Sequence, residues 1–513
     1  MADSAAGSRV PTPSPSTVTT HLDPPCLEIV DEKPALDPFL VRFQDAGDSA
    51  NPKNWSKLKR WYLTFAASVL VLSATFSSSA PSAMIPALQQ QFGFSEEVGT
   101  LTVALFVCGY CVGPLLWGPL SEQYGRRPIF ICTFFVYMCF QIGCALAQNT
   151  ASLLIFRFLG GTFAAAPLSN SGALIADIWG AKERGAALAI FTVAPFAGPA
   201  IGPIVGGYLN EAGVSWRWLF WILTLFAGVC LLQIIFTMPE TYEPILLVRK
   251  AQQLRKSTGD DRYHAAMELQ SVSFIERLEN VVARPFKILF LEPMLIAVTL
   301  YMSFVYGCIY LLFEAYPVVF TEGHHLKSGV SSLMFLPLPI GGIISVVMIL
   351  LFINPAYARK VEEFAPNPVP PEYRLRPAMV AGPLFSASFF WFAWTSYPNV
   401  SLWSPMMSGT LLAFSIVWIF LPLFNYIIDV YTFFAASALS SSTVVRSIFG
   451  AVFPLFATQM YVKLGPEWAS SLLGFIALAM TPIPFVLTKY GPTLRAKSKY
   501  APSLPPPKLS PPV

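Results

Sequence analysis

Two long hydrophobic runs are joined by the stretch Gly118-Pro119-Leu120-Ser121-Glu122-Gln123-Tyr124-Gly125-Arg126-Arg127-Pro128. Each run is about long enough to cross a bilayer. The connection carries one acid and two arginines among glycines that allow tight turns. The carboxylate of Glu122 could pair with an arginine or face a helix N-terminus, and either contact would latch two helices together on one side of the membrane. The alternative is a positively charged loop with no further role.

The composition excludes an ordinary soluble domain. Of the 513 residues, 54% are hydrophobic and 12% are charged, whereas soluble proteins carry about 25% charged residues. The apolar residues form twelve runs with the length needed to span about 30 Å as a helix. We therefore predict an all-α integral membrane protein with spans at roughly 61–83, 98–120, 129–148, 152–176, 186–208, 217–237, 293–317, 329–353, 378–397, 405–428, 436–460 and 468–488.

Lysine and arginine are distributed unevenly about these spans, with 28 of the 33 on the side of both termini. The positive-inside rule then predicts a multi-pass protein with both termini in the cytoplasm. The predicted segments are a disordered cytoplasmic tail (1–55), an N-terminal six-helix half (56–240), a cytoplasmic linker (241–290), a C-terminal six-helix half (291–490) and a cytoplasmic tail (491–513). Two such halves can hold a midplane site between them.

Arg157 lies inside the fourth span, in Leu153-Leu154-Ile155-Phe156-Arg157-Phe158-Leu159-Gly160-Gly161. An unpaired arginine in hydrocarbon is costly, so its side chain must face the helix bundle or reach the outer head groups. The first alternative predicts a functional arginine and the second a merely tolerated one.

The fifth span contains Gly198-Pro199-Ala200-Ile201-Gly202-Pro203-Ile204-Val205-Gly206-Gly207. Glycines four residues apart remove side chains from one helix face, and the prolines remove backbone donors and bend the axis. Close packing against another helix is the simplest explanation of this pattern. A role of this helix in conformational change is the second hypothesis.

Glu314 is the one carboxylate well inside a span, in the outer half of the seventh, on the same helix as Tyr306 and Tyr310. A carboxyl group at low dielectric takes up a proton more readily than in water, which suits a proton carrier or a cation-binding group. The alternative places Glu314 at the outer head groups. Together with Arg157 and Asn170, these residues are the candidates for proton coupling or substrate binding.

Arg446 lies inside the eleventh span, and Asn425 and Asp429 near the end of the tenth are its possible partners, so these three residues are predicted to form a polar group between helices. We expect this group to be a structural clamp rather than part of transport. Asn399 begins an Asn-Val-Ser acceptor for glycosylation in a loop that the predicted orientation places outside the cell. No metal site is expected, since His324 and His325 lack a cysteine or a second histidine pair nearby.

Together, the loop at 118–128, the Arg157 stretch and the fifth-span pattern resemble the fungal twelve-span drug:proton antiporter family of the major facilitator superfamily. The resemblance covers about residues 50–490 and extends to Met238-Pro239-Glu240-Thr241-Tyr242-Glu243-Pro244 and Phe424-Asn425-Tyr426-Ile427-Ile428-Asp429. One departure is Gly160, where the arginine motif of this family usually has glutamine. The resemblance implies two six-helix halves, a part for Arg157 in proton transfer, and a fifth-span motif that separates exporters from uptake porters. The resemblance also implies a gating role for five residues of the loop motif, namely Gly118, Glu122, Gly125, Arg126 and Arg127.

The function implied by the resemblance is proton-coupled efflux of drugs, toxins or secondary metabolites across the plasma membrane by alternating access. The expected partners are a small-molecule substrate, protons and the lipid bilayer, with no nucleic acid and no cofactor, and the protein is expected to be a monomer. One alternative is an uptake porter or facilitator for a polar nutrient or polyamine. A membrane enzyme or receptor is a remote alternative, because no catalytic motif and no ATP-binding loop are visible in the sequence.

Overall fold

The protein is a bundle of long helices in the computed structural model, which describes residues 37–43, 47–269, 274–365 and 367–501. Within these ranges the regular structure is helical, and the single β-type pairing is an isolated bridge between Leu40 and His264. Eleven helical segments in this part of the chain are long and apolar enough to cross a membrane. The all-α membrane class predicted from composition is confirmed. Below, "inner" denotes the side of the bundle that carries the start of span 1 and the linker, and "outer" the opposite side.

The first half contains spans 1 to 6. Span 1 has three consecutive parts, and span 5 has two. Their bounds are Lys57–Ser79, Ala80–Met84 and Ile85–Phe92 for span 1, Glu96–Tyr124 for span 2, Arg126–Ala145 for span 3, Thr150–Ile178 for span 4, Ala181–Phe191 and Ala194–Glu211 for span 5, and Arg217–Thr237 for span 6.

The second half contains spans 7 to 12. Span 7 ends in a wide turn, and span 8 is interrupted near Pro337. The bounds are Pro293–Tyr316 and Pro317–Gly323 for span 7, Ser328–Leu333, Pro337–Met348, Ile349–Ile353 and Asn354–Phe364 for span 8, Arg376–Thr395 for span 9, and Trp403–Tyr431 for span 10. Two further segments, Ala435–Met480 and Pro482–Lys497, contain spans 11 and 12, which are divided at Gly465 within the first segment.

The last candidate membrane segment, Ala435–Lys497, contains two crossings rather than one. Gly465 breaks the helix with φ 79° and ψ 152°, a conformation that glycine adopts readily. The hydroxyls of Tyr461 and Ser470 are 2.8 Å apart across this break, whereas nine residues of straight helix would separate them by about 13 Å. The chain therefore turns back at Gly465, which gives twelve crossings.

Helix boundaries follow from capping residues and glycine. The side chains of Ser56 and Asn149 accept hydrogen bonds from the backbone amides of Lys59 and Ser152 at the starts of spans 1 and 4. Gly93 ends span 1 in the left-handed conformation. Prolines do not all end the helices: span 10 is continuous from Trp403 to Tyr431 with Pro422 inside it.

The two halves meet along two seams, where span 2 packs on span 11 and span 5 packs on span 8. On the side away from these seams, large apolar residues are exposed, including Leu225, Val229 and Phe236 of span 6. A surface of this kind suits lipid rather than water.

The linker contains the helices Glu243–Thr258 and Phe274–Leu291 and a short turn at Ala266–Leu269. The chain before span 1 packs on it: Val41 donates to the His264 carbonyl at 2.9 Å, and Lys250 pairs with Asp48 at 2.6 Å. The prediction of disorder up to residue 55 is therefore wrong for 37–43 and 47–55, since hydrogen bonds hold this segment on the linker. Residues 1–36 lie outside the described residues, and the predicted segment boundaries otherwise stay predictions.

Candidate functional site

Arg157 lies in the protein interior and does not reach the outer head groups. Its side chain is fully buried. Its Nε donates to the Thr102 carbonyl at 2.6 Å, Nη2 donates to the Ser78 carbonyl at 3.2 Å, and the guanidinium stacks on the Phe106 ring at 4.1 Å. Nη1 has no hydrogen-bond partner in the described structure. The charge is thus held by carbonyl dipoles and an aromatic face, and one donor remains unused.

A series of hydroxyl groups leads from Arg157 into the other half of the protein. Ser78, whose carbonyl accepts from Arg157, has its own hydroxyl 2.9 Å from the hydroxyl of Tyr310 on span 7. The Tyr306 hydroxyl then donates to that of Tyr310 at 3.4 Å. Spans 4, 1 and 7 are therefore linked by polar contacts across the boundary between the halves.

Arg446 of span 11 lies at the far end of this series. Its guanidinium is 4.8 Å from the ring centroid of Tyr306, and it also faces Phe420 at 5.7 Å and Phe424 at 5.6 Å. Its Nε is buried without a hydrogen-bond partner, and no acidic side chain in the described structure forms an ion pair with it. We call the five residues Arg157, Ser78, Tyr310, Tyr306 and Arg446 the central path.

Spans 7 and 11 approach closely enough to hold the path in place. A Cβ atom added to Gly450 would lie 2.8 Å from the Tyr306 ring, and one added to Gly307 would lie 2.7 Å from the Phe453 ring. Each glycine thus receives an aromatic ring from the opposite helix. This reciprocal packing fixes the orientation of Tyr306 beneath Arg446.

Glu314 lies two turns of span 7 beyond Tyr306 and is 7% exposed. Its Oε1 is buried with no hydrogen-bond partner in the described part of the chain. A carboxylate at the outer head groups would be hydrated, so this burial favours the interior alternative. The buried Oε1 is therefore an unused acceptor that a proton or a cation could occupy.

The glycines of span 5 form a contact face. A Cβ atom at Gly198, Gly202 or Gly206 would overlap span 1, and one at Gly207 would overlap Ser332 of span 8. Pro203 has no N–H, so the carbonyl of Pro199 loses its usual helical donor. The Ser79 hydroxyl donates to that carbonyl at 2.8 Å. The predicted close-packed face is therefore present, and a hydroxyl group of span 1 replaces the backbone hydrogen bond that Pro203 removes.

The inner connection between spans 2 and 3 is latched, but by acids other than the predicted one. The carboxylate of Glu240 accepts from the backbone amides of Arg126 at 2.9 Å and Arg127 at 3.2 Å, at the N-terminus of span 3. Asp177 pairs with Arg126 at 3.4 Å. Gly125, with φ +99°, leaves room for the Glu240 carboxylate, which a Cβ atom would strike. These contacts join the ends of spans 2, 3, 4 and 6.

In the loop motif, the predicted contact of Glu122 does not form, and the predicted gating role of Gly118 stays a prediction. Glu122 is exposed and forms no ion pair among the described side chains, because it lies on the solvent-exposed face of its helix while Glu240 and Asp177 approach from other spans. Gly118 has open space where a Cβ atom would be, so packing does not require glycine there.

The predicted group of Asn425, Asp429 and Arg446 does not form. Asp429 pairs with Arg374 at 2.9 Å, and Asn425 lines a cavity beside Arg374. Arg446 faces span 7 instead, because span 11 turns that side of the helix toward Tyr306. The Asp429–Arg374 pair corresponds to Asp177–Arg126 in the first half, since each joins the end of a half's fourth helix to the start of its third.

Asn170 is apart from the central path. It is buried, donates to the Trp117 carbonyl at 3.2 Å and accepts from Ser121 at 3.1 Å. Because Ser121 also contacts Arg126, Asn170 belongs with the inner latch. Asn399 is exposed in the loop between spans 9 and 10. This position is accessible to glycosylation, which stays a prediction.

The outer ends of the two halves are in contact. Asn210 donates to Ser328 at 3.4 Å, and Glu211 accepts from the amide of Gly329 at 3.1 Å, across spans 5 and 8. On the other seam, Gln459 donates to Glu97 at 3.0 Å. The central path is thus covered on its outer side by contacts that rigid motion of the halves would break.

Residues 67–454 match the family model of the Major Facilitator Superfamily. The chain belongs to the Major Facilitator Superfamily. Its curated relatives include "Efflux pump FUBT" of Fusarium oxysporum, 41% identical over 90% of this chain and 78% of that protein. The "Major facilitator superfamily multidrug transporter mdrA" of Aspergillus fumigatus is 42% identical over 91% of this chain and 76% of that protein. The "Citrinin biosynthesis cluster MFS transporter mrr1" of Monascus ruber is 41% identical over 92% and 94%.

Solved structures of this superfamily share the fold. The human organic anion transporter MFSD10 superposes with a TM-score of 0.57 at 17% identity, covering 84% of this chain and 100% of that one. The xylose transporter XylE from E. coli gives 0.56 at 16% identity, over 84% and 99%. The predicted fold, two six-helix halves of the superfamily type, and the predicted membership of its fungal drug-efflux family are confirmed.

Proposed function

We propose that this MFS protein is a proton-coupled exporter of small amphipathic molecules that works by alternating access. The observation that carries the proposal is the central path, which joins the buried Arg157 to the partly buried Arg446 across the boundary between the halves. Relative motion of the halves must change the contact between Ser78 and Tyr310, because these residues belong to different halves. A path of this kind can therefore couple a change at Arg157 to a change at Arg446.

Proton coupling is supported by the charges that lack partners. Arg157 and Glu314 are both buried with an unused polar atom, and neither forms an ion pair among the described residues. Buried groups of this type change their charge or their partners when the access of water changes. We infer that Glu314 takes up and releases the proton, while Arg157 responds to the rearrangement of the path.

An amphipathic substrate is supported by the surroundings of Arg446. Its guanidinium faces three aromatic rings, and the ring of Phe196 from span 5 continues this surface 5.5 Å from Phe420. Aromatic walls with one fixed charge bind molecules that have a large apolar part and few polar groups.

The direction of transport is inferred from the relatives and from span 5. The similar proteins of Fusarium oxysporum and Aspergillus fumigatus are named as an efflux pump and a multidrug transporter. The glycine face of span 5, which the family resemblance associates with exporters, packs against span 1 as expected. Uptake of a polar nutrient is the second candidate, and no described feature of the central path favours it over export.

The proposed setting is the plasma membrane, with both termini cytoplasmic and the protein acting as a monomer. The orientation rests on the excess of lysine and arginine on the inner side. The inner side then contains the latch residues Glu240, Asp177 and Arg126, and the contacts at Glu211 and Glu97 close the extracellular side.

The experiment that tests export uses a fungal host that lacks its own broad-specificity exporters. Cells that express the wild-type chain are loaded with a panel of amphipathic cations, anions and neutral compounds at two external pH values, and intracellular retention is measured. We expect reduced retention of at least one compound, more strongly at the lower external pH, and loss of this effect in Arg157→Ala. Arg217→Ala, which removes an outer positive charge away from the path, is the matched control and should export normally. Equal retention in cells with and without the wild-type protein for every compound would contradict the proposal.

A further inference from the structure

A cavity of about 210 Å³ lies at the inner ends of spans 8, 9 and 10. It is confined to the second half and is separate from the central path. The volume is below the roughly 300–1,000 Å³ typical of pockets for drug-sized ligands. The cavity therefore suits a small head group better than a whole transported molecule.

The cavity wall is positively charged. Lys360, Arg374 and Arg376 line it, and the described lining contains no acidic residue. Hydrogen-bonding groups accompany these cations, and the lining also includes Asn354, Tyr357, Tyr373 and Asn425. Such a set of cationic and neutral polar groups matches an anion with several acceptor oxygens.

Two of the three cations in the lining already have acidic partners outside it, and Arg376 does not. Asp429 pairs with Arg374 at 2.9 Å, and Glu363 pairs with Lys360 at 2.5 Å. Glu372, close to Arg376 in sequence, instead pairs with Arg495 through two contacts of 3.0 and 3.1 Å. Arg376 stacks on Tyr373 at 4.7 Å and has no ion pair among the described side chains. The positive charge of Arg376 is therefore available to a ligand.

The other wall of the cavity is apolar and continues to the lipid-facing surface. Ile349, Trp418 and Leu421 line the inside. Phe352, also part of the lining, is 62% exposed and its neighbour Leu351 is 63% exposed. A ligand in the cavity could thus place a polar head among the cations and hydrocarbon chains along span 8.

We propose that this cavity binds the phosphate head group of an anionic phospholipid. Basic pockets between membrane helices bind acidic head groups through the charge of the leaflet and direct contacts. Arg376 would hold the phosphate together with Lys360, whose ammonium group keeps further N–H donors beside its exposed pair with Glu363. Tyr357 and Asn425 would add hydrogen bonds, and the acyl chains would lie beside Phe352. Assignment to the cytoplasmic leaflet rests on the orientation in the proposed function, whereas the lipid site itself does not.

The test measures lipid retention by the purified full-length protein, using native mass spectrometry in detergent with added phosphatidylserine or phosphatidylcholine. We expect phosphatidylserine to be retained more strongly than phosphatidylcholine. A basic residue near a charged lipid contributes about 1 kcal/mol, which is about five-fold in affinity. Arg376→Gln and Lys360→Gln should each weaken phosphatidylserine retention by about that factor, and Arg376→Lys should retain most of it.

Arg217→Gln is the control, since it removes a positive charge from the opposite side of the protein. A second arm adds inorganic phosphate, which should compete only weakly because it lacks the hydrocarbon chains. Equal retention of the two lipids, unchanged retention in Arg376→Gln and Lys360→Gln, or displacement of the lipid by millimolar phosphate would overturn the proposal. Because no transport is measured, failure here would leave the proposed export function standing.

Discussion

The hydroxyl of Ser78 on span 1 lies 2.9 Å from the hydroxyl of Tyr310 on span 7. This contact joins the two halves of the bundle at a position where both side chains are buried. Through the Ser78 carbonyl it reaches Arg157, and through Tyr306 it reaches Arg446. The relationship places four spans in one polar series, and it is the part of the structure that alternating access would change most directly.

Tyr310→Phe should uncouple transport while leaving the protein folded. The change removes one hydroxyl, and a buried hydrogen bond of this kind contributes about 1 kcal/mol, so substrate affinity should fall no more than about five-fold. Uphill export should fall much further, because the halves lose their polar link. Tyr301→Phe is the matched control, since the Tyr301 hydroxyl on the same helix has no hydrogen-bond partner. Equal export rates for the two variants would show that the link carries no coupling.

Gly202→Leu and Gly206→Leu should each reduce transport strongly. A Cβ atom at Gly202 would lie 2.8 Å from the backbone nitrogen of Ala80, and one at Gly206 would lie 2.6 Å from its carbonyl oxygen. Overpacking of this kind costs roughly 1–3 kcal/mol. Gly172→Leu is the control, because open space surrounds that glycine. The measurements are export and the thermal stability of the purified variants. Wild-type values for both span 5 variants would show that the glycine pattern has no role in packing or transport.

Glu314→Gln should abolish the dependence of export on external pH. The amide keeps the shape of the side chain but cannot exchange a proton, so uphill export should be lost while binding or exchange of substrate continues. If Glu314 instead recognises cations, only cationic compounds should be affected. Glu322→Gln, an exposed residue near the outer end of the same span, should behave as wild type. Unchanged export of neutral and cationic compounds by Glu314→Gln at both pH values would exclude either role.

Glycosylation at Asn399 tests the orientation. The residue is exposed in the loop between spans 9 and 10, which the proposed topology places outside the cell. We expect an endoglycosidase to shift the mobility of the wild-type protein and not that of Asn399→Gln. The loop is short, so an unmodified Asn399 would leave the topology open. Sugar on Asn54, which the proposed topology places in the cytoplasm, would reverse it.

The spans were predictable because hydrocarbon imposes long uninterrupted apolar helices on the sequence. For Arg157 the sequence left two positions open, the interior and the outer head groups, and the contacts with Thr102 and Ser78 decide for the interior. The glycine face of span 5 was also predictable, because residues four apart share one side of a helix. These features depend on local spacing, which a sequence states directly.

The polar partners were not predictable in the same way. Glu240 binds the amides of Arg126 and Arg127 from 114 and 113 positions away, so its contact depends on how span 6 packs on span 3. Arg446 was expected to pair with Asp429 or Asn425, because these are the polar residues near the end of the preceding span. The rotation of span 11 about its axis directs Arg446 to Tyr306 instead. Sequence fixes the depth of such a residue more closely than its direction.

The most direct test of proton-coupled export is transport by the purified protein in liposomes with an imposed pH gradient and the membrane potential clamped. The substrate should be a compound that the cell assay identifies and that carries no group titrating between the two pH values. We predict that an acidic lumen drives this compound inward above its equilibrium concentration, that a protonophore abolishes the accumulation, and that liposomes without protein show none. Equal uptake with and without the gradient, or accumulation driven by an alkaline lumen, would contradict proton-coupled antiport.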